Sequence, residues 1–248
     1  AVSFTRHSSD FYLGLRDPDR AAIAGSPIPV DMIAVKTDGS PLPQPVQGNA
    51  RFFKIDWSTR NVEGAGHVRF YDKEATLIKL GETRVTSGKV RRSGGEWRWI
   101  PSSGSGASFT PDAPGVYLIE VTASDSAGRP IKTARTCSVF GDGEAGWDYR
   151  DAARIDLEPD REEYTPGDTA TILVKTPIHG TAIVTVEREK VIRSFVTKIS
   201  RKQSSLKIQL TPADSPNVFV GVVLIRGTAE STREAPAPEH RFGYCQLK

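Results

Sequence analysis

The residues of this chain that could do chemistry are four histidines, two cysteines and scattered carboxylates. His7, His67, His179 and His240 each stand alone in the sequence. A metal site would need the fold to bring them together, whereas single surface histidines are common. Cys137 and Cys245 are too few for a disulfide framework or a zinc site. Both fall in apolar, strand-like segments, so buried, inert thiols are the default reading, with a bridge between them as the alternative. The acidic residues of 141–150 (GDGEAGWDYR) suggest calcium, but their spacing does not match an EF-hand loop. No nucleophile elbow and no phosphate loop organises the serines, aspartates and glycines. The chain therefore reads as a non-enzyme with no catalytic, cofactor or metal residues.

Two further stretches could recognise another molecule. Trp97 and Trp99 alternate with Glu96 and Arg98, which puts both indoles on one strand face. Core packing accounts for such a pair; an aromatic platform for sugars is the alternative. Arg226 to His240 (RGTAESTREAPAPEH) is polar, rich in small residues, and carries two prolines and two arginines. It joins two strand-like runs, and such loop tips are where proteases cut. Arg226 and Arg233 are its candidate cleavage points, against the plainer reading of an ordinary hairpin loop.

The elements that would position these residues are strands. At 248 residues, 38% hydrophobic and 25% charged, the chain can bury a substantial core. Its 22 glycines and 17 prolines favour many short strands joined by turns. The net charge of +3 is spread over a mixed surface without the basic clustering that nucleic acid requires. No run reaches the about 18 apolar residues of a membrane span. The chain starts at Ala1 with neither methionine nor signal peptide, and reads as a piece of a longer protein.

In chain order, strands are expected at 11–15, 28–35, 50–57, 67–71, 73–80, 82–89, 96–100, 118–124 and 131–140. Asp38-Gly39 marks a hairpin turn. A second set follows at 154–157, 169–175, 181–187, 191–199, 205–210, 218–225 and 241–247. Thr169 to Lys175 alternates Ala170, Ile172 and Val174 with Thr169, Thr171 and Lys175, apart from the apolar Leu173. Val218 to Ile225 is apolar on both faces, as expected of a central strand covered on both sides. Seven short strands in fewer than a hundred residues is a sandwich pattern. Pro18-Asp19-Arg20 recurs as Pro159-Asp160-Arg161, and Val35-Lys36-Thr37 as Val174-Lys175-Thr176, at nearly constant offset. The chain is thus two copies of one unit, the first enlarged by insertions. The expected fold is all-β: two tandem immunoglobulin/fibronectin-III-like β-sandwiches. They span 1–143, with 1–9 as a candidate tail of a preceding domain, and 153–248, joined by a linker at 144–152. Within the linker region Trp147 and Tyr149 are the candidate anchors.

An ordered set of motifs resembles the macroglobulin-type domains of alpha-2-macroglobulins, especially bacterial ones. In the second half these are Tyr164-x-Pro166-Gly167-Asp168, Pro177-x-x-Gly180, Ala182 to Arg188, Pro216-Asn217-Val218 to Gly227, and Phe242-Gly243-Tyr244. In the first half they are Phe11-Tyr12-x-Gly14-Leu15, a looser Asp38-Gly39-Ser40-Pro41, Pro114-Gly115-x-Tyr117 and Asp125-x-x-Gly128-Arg129. The resemblance implies a scaffold segment of a very large protease trap, whose exposed bait triggers collapse around the attacker when cut. Its implied partners are neighbouring domains of the same chain and, through the parent, target proteases, with no nucleic acid and no direct membrane insertion. The implied location is the periplasm, the cell envelope or the exterior, the parent being a candidate lipoprotein. In that family the bait is expected in a module further along the chain. Many members carry a thioester in Cys-x-Glu-Gln; here Cys137 is followed by Ser-Val-Phe and Cys245 by Gln-Leu-Lys, so neither fits. The alternative function is an immunoglobulin-like adhesin or carbohydrate-binding module of a bacterial surface protein.

Overall fold

A computed structural model describes residues 6–17, 21–63, 69–93, 96–100, 107–141, 143, 145–147, 153–200, 205–228 and 238–248; at 58–63, 69–73, 90–93 and 96–99 it describes the backbone alone. Eleven strands form the first half: β1 (Phe11–Leu15), β2 (Ala22–Ile23), β3 (Ile28–Pro29), β4 (Met32–Lys36), β5 (Gln47–Glu63), β6 (Arg69–Thr86), β7 (Lys89–Ser93), β8 (Glu96–Ile100), β9 (Ser108–Phe109), β10 (Gly115–Ser124) and β11 (Pro130–Phe140). Seven form the second: β12 (Asp156–Pro159), β13 (Thr169–Lys175), β14 (Gly180–Glu187), β15 (Val191–Ile199), β16 (Ser205–Gln209), β17 (Val218–Arg226) and β18 (Glu239–Leu247). A 3₁₀ turn, Pro212–Asp214, follows β16.

The second half is a three-on-four sandwich. Sheet β12-β13-β16 faces sheet β15-β14-β17-β18. Ile172, Val174 and Ile208 from one sheet meet Val184, Val186, Val220, Val222 and Leu224 from the other. Period-two alternation puts these side chains on the inner faces, and their burial is the main driving force of the half. The first half repeats the order. Its sheet β6-β5-β10-β11 corresponds strand for strand to β15-β14-β17-β18, with β2 added in parallel beside β11. The antiparallel pair β1–β4 corresponds to β12–β13: Phe11 lies opposite Lys36, and Asp156 opposite Lys175. A separate core of Met32, Phe52, Val85, Tyr117, Ile119, Val121 and Val139 fills this half. The protein is all-β, two tandem sandwiches with insertions in the first.

Three expectations change. The strand expected at 28–35 is two: β3 pairs with β9, and β4 with β1. The break comes where the Val30 amide donates to Ala107 and Asp31 accepts from the Arg16 amide, 2.9 and 3.0 Å away. The strands expected at 67–71, 73–80 and 82–89 are largely one, β6, paired with β5 along the length of the hairpin. A bulge between Phe52 and Phe53 takes up the irregularity near Gly81 that made the run look interrupted. Finally, β17 is not covered on both sides. Its inner side chains are buried, but Phe219, Val223 and Ile225 point outward and stay exposed.

Candidate functional site

The connection expected to be cleavable leaves the second sandwich at the end of the β17–β18 hairpin. The two strands pair in register from Val218–Leu247 to Arg226–Glu239. Arg226 is thus the last residue of β17 and Glu239 the first of β18. Alternation turns Glu239, Arg241 and Gly243 to the inner face, while His240, Phe242 and Tyr244 face outward. Glu239 bridges two guanidiniums. Its Oε1 accepts from Arg241 Nε at 2.8 Å and Nη2 at 2.5 Å, and its Oε2 accepts from Arg226 Nη2 at 3.1 Å. The Arg241 side chain is only 1% exposed and that of Arg226 11%. Charges taken this far from water persist when they are paired, and Glu239 is a partner that both guanidiniums share.

This geometry corrects one expectation and leaves the other outside view. Arg226 is not presented to proteases: its backbone is paired in the sheet and its side chain is buried against Glu239. A protease specific for arginine must take that side chain into its own pocket. Arg233 lies outside the described residues.

A second cluster joins the two halves. Trp147 is buried against Phe140 of the first half and Leu173 of the second. Leu173 is the residue that breaks the alternation of β13, and this outward contact is the reason. The Lys175 ammonium lies 5.3 Å from the Trp147 ring centroid, within cation–π range. Lys175 also pairs with Glu158 Oε2 at 2.5 Å and donates to Ser138 Oγ at 3.1 Å. Ser138 in turn donates to Glu158 Oε2 at 2.9 Å, and the Ala21 amide donates to the Asp160 carbonyl at 2.9 Å. Beside this junction runs an open cleft of ≈ 1160 Å³, with Asp17, Arg135, Trp57 and Arg161 on its walls. Tyr149, the other expected anchor, lies outside the described residues.

The remaining candidates are not brought together. His7 shares a 2.8 Å hydrogen bond with the Tyr12 hydroxyl, His240 sits on the outer face of β18, and His67 lies outside the described residues. Among the described residues, no three His, Cys, Asp or Glu side chains are placed to hold a metal. Cys137 on β11 and Cys245 on β18 are free thiols. Burial raises the Cys137 thiol above its ordinary value and pushes Cys245 up to about 12. Trp97 and Trp99 lie on β8 opposite Arg92 and Val90, and their side chains lie outside the described residues.

Sequence reasoning missed the outer face of the four-stranded sheet. Val196, Ile183, Val223 and Phe242 line up across its four strands, 38 to 66% exposed. Tyr244 packs beside Gly221, where a Cβ would meet the ring at 2.9 Å. The two-sided apolar pattern of β17 is the signal the sequence offers, and such a pattern fits burial on both faces as well as one exposed apolar face.

Comparisons with known proteins bear on the same half. Residues 155–248 match the alpha-2-macroglobulin bait region domain. An alpha-2-macroglobulin homolog from Nostoc sp. is 26% identical over 226 residues, covering 90% of this chain and 11% of the relative. One from Deinococcus radiodurans is 30% identical over 122 residues, covering 48% of this chain and 12% of the relative. The native Escherichia coli alpha-2-macroglobulin structure aligns with 96% of this chain and 15% of its own, at 16% identity and a TM-score of 0.38. The chain thus spans 11 to 12% of the length of these curated relatives. The bait was expected in a module further along the chain; the bait region domain match begins at Ile155 and contains the β17–β18 connection. The chain thus carries, over 155–248, a match to the alpha-2-macroglobulin bait region domain, and over 90% of its length it is similar in sequence to an alpha-2-macroglobulin homolog.

Proposed function

We propose that this chain is a scaffold segment of a broad-spectrum protease trap, without catalytic activity of its own. In this reading residues 227–238 are the stretch a target protease cuts, with Arg233 as one point of attack. The observation that carries it is the bait region domain match over 155–248, which encloses that connection. The composition agrees: small and polar residues between two paired strands, without the bulky side chains a stable element would need. The two sandwiches, 1–143 and 153–248 with the linker 144–152, hold the connection in place. The Trp147–Leu173–Lys175 junction is the route by which a change in one half reaches the other. Partners are neighbouring domains of the parent and, through it, proteases of the periplasm, envelope or exterior.

The test is limited digestion with proteases of unrelated specificity, including one that cuts after arginine. The expected first cut falls between Gly227 and Pro238 for each enzyme. The proteases stay active and form no covalent adduct with the chain. First cuts elsewhere, or inhibition by this chain alone, would overturn the reading.

A further inference from the structure

We propose that Glu239 is a latch: by bridging Arg226 and Arg241 it keeps β18 seated after the β17–β18 connection is cut. The inference rests on the proposed cleavage of that connection and adds what happens next.

Four observations carry it. β18 is the end strand of its sheet, so one long edge pairs with β17. Its other edge carries isolated bonds among the described residues: Ile155 N–H donates to the Phe242 carbonyl at 2.9 Å, Phe242 N–H to the Ala153 carbonyl at 3.2 Å, and, at the end far from the connection, Tyr164 N–H to the Lys248 carbonyl at 2.7 Å. In the intact chain the connection is a short tether, and a strand that frays re-pairs at once because its effective concentration is high. A cut removes the tether and creates two new ends, and fraying starts from ends. The new ends emerge at Arg226 and Glu239, the residues the carboxylate joins. Arg241, on β18 with Glu239, is nearly fully buried and fixes that carboxylate, so the bond that crosses to β17 is Arg226 Nη2 to Glu239 Oε2 at 3.1 Å.

The consequence is mechanical. A cut does not unseat β18, so chain on both sides of the cut remains one particle. Displacing β18 then requires breaking the Glu239 bridge first. Glu239, Arg226 and Arg241 are positioning residues: they hold strand ends and touch no protease.

The test replaces residues 229–235 of the full chain with the recognition sequence of a highly specific protease and places a fluorophore after Lys248. Cutting no longer depends on the natural loop, so the latch can fail or hold independently of the cleavage reading. After cutting, the labelled C-terminal segment is expected to co-elute with the body of the protein. Fluorescence anisotropy on dilution is expected to show at least tenfold faster release for Glu239→Gln, with a smaller change in the unfolding of the uncut variant. Should Glu239→Gln not fold, Arg226→Ala against Arg226→Lys gives the same comparison, the lysine restoring retention. Equal release from cut wild type and cut variants, or immediate loss of the segment from wild type, would overturn the latch.

Discussion

The Tyr164 hydroxyl donates to Asp160 Oδ1 at 2.8 Å, and the same oxygen accepts the Thr171 amide at 2.8 Å. One carboxylate oxygen thus ties the turn that opens the second sandwich to the first residues of β13. Arg161 closes the group, its amide donating to the Tyr164 hydroxyl at 3.1 Å. Burial, then the hydrogen bond and charge of Asp160, raise the Tyr164 phenol well above its ordinary value. Tyr164 therefore serves as a neutral donor. Tyr164→Phe keeps the ring and removes the donor, leaving the half-buried carboxylate a partner short. The expected loss is about 1–2 kcal/mol, since hydrogen bonds to charged groups exceed neutral ones. Urea unfolding should show a lower midpoint at unchanged slope.

Much of this motif was legible in the sequence. Gly167 takes φ 101°, as the Pro-Gly turn requires, and β13 and β15 run over the expected residues. Periodicity and turn chemistry are local, and they were enough for the sandwich and its strand count. What local pattern could not give was the partner of each apolar residue. Leu173 read as an exception to alternation and proves to be a contact with Trp147. Val223 and Ile225 read as buried and are exposed, because alternation says which face a side chain takes but not what covers that face. Arg226 read as part of a loop and is buried, because its partner Glu239 stands thirteen residues away. The cleavable connection was visible as composition, and the charged cluster closing it was not.

Glycines should divide sharply by what surrounds them. A Cβ on Gly243 would stand 2.3 Å from the Ile155 carbonyl oxygen, and one on Gly180 would stand 2.1 Å from that of Ile225. Backbone cannot swing aside as a flexible side chain does, so Gly243→Ala must push Ile155 away from β18. A cost of about 3 kcal/mol or more is expected, in the range of overpacking and backbone strain. Gly167→Ala meets no atom within 4 Å and pays only for its positive φ, about 1–2 kcal/mol. Thermal unfolding of the two variants side by side checks the ranking.

The thiols should be inert while the protein is folded. Burial raises both, Cys245 up to about 12, so almost no thiolate forms at neutral pH. A thiol reagent at pH 7.5 is expected to modify neither cysteine on the timescale of a free-thiol control, and both at once in denaturant. Rapid labelling of native protein would show that one of the two segments opens.

Asp214 should shape stability on the acid side. It caps the 3₁₀ turn, accepting the Thr211 amide at 2.8 Å, and pairs with Arg193 Nη1 at 2.6 Å and Nη2 at 3.0 Å. Burial alone would raise its carboxyl. The Arg193 guanidinium and the Thr211 donors outweigh that and hold it below the ordinary carboxylate range. A depressed folded-state value means the unfolded chain binds a proton at higher pH than the folded one. The stabilisation is therefore complete above the ordinary carboxylate pKa of about 4 and is lost as pH falls through the folded-state value. Asp214→Asn keeps the shape but removes the charge that Arg193 and the turn amide are arranged around. Because Arg193 is partly exposed, the loss at pH 7 is expected at about 2–3 kcal/mol, below that of a fully buried pair. Denaturation from pH 7 to 3 should show the gap between wild type and variant shrinking only below about pH 4. A gap that stayed constant to pH 3 would mean that Asp214 acts through packing and not through its charge.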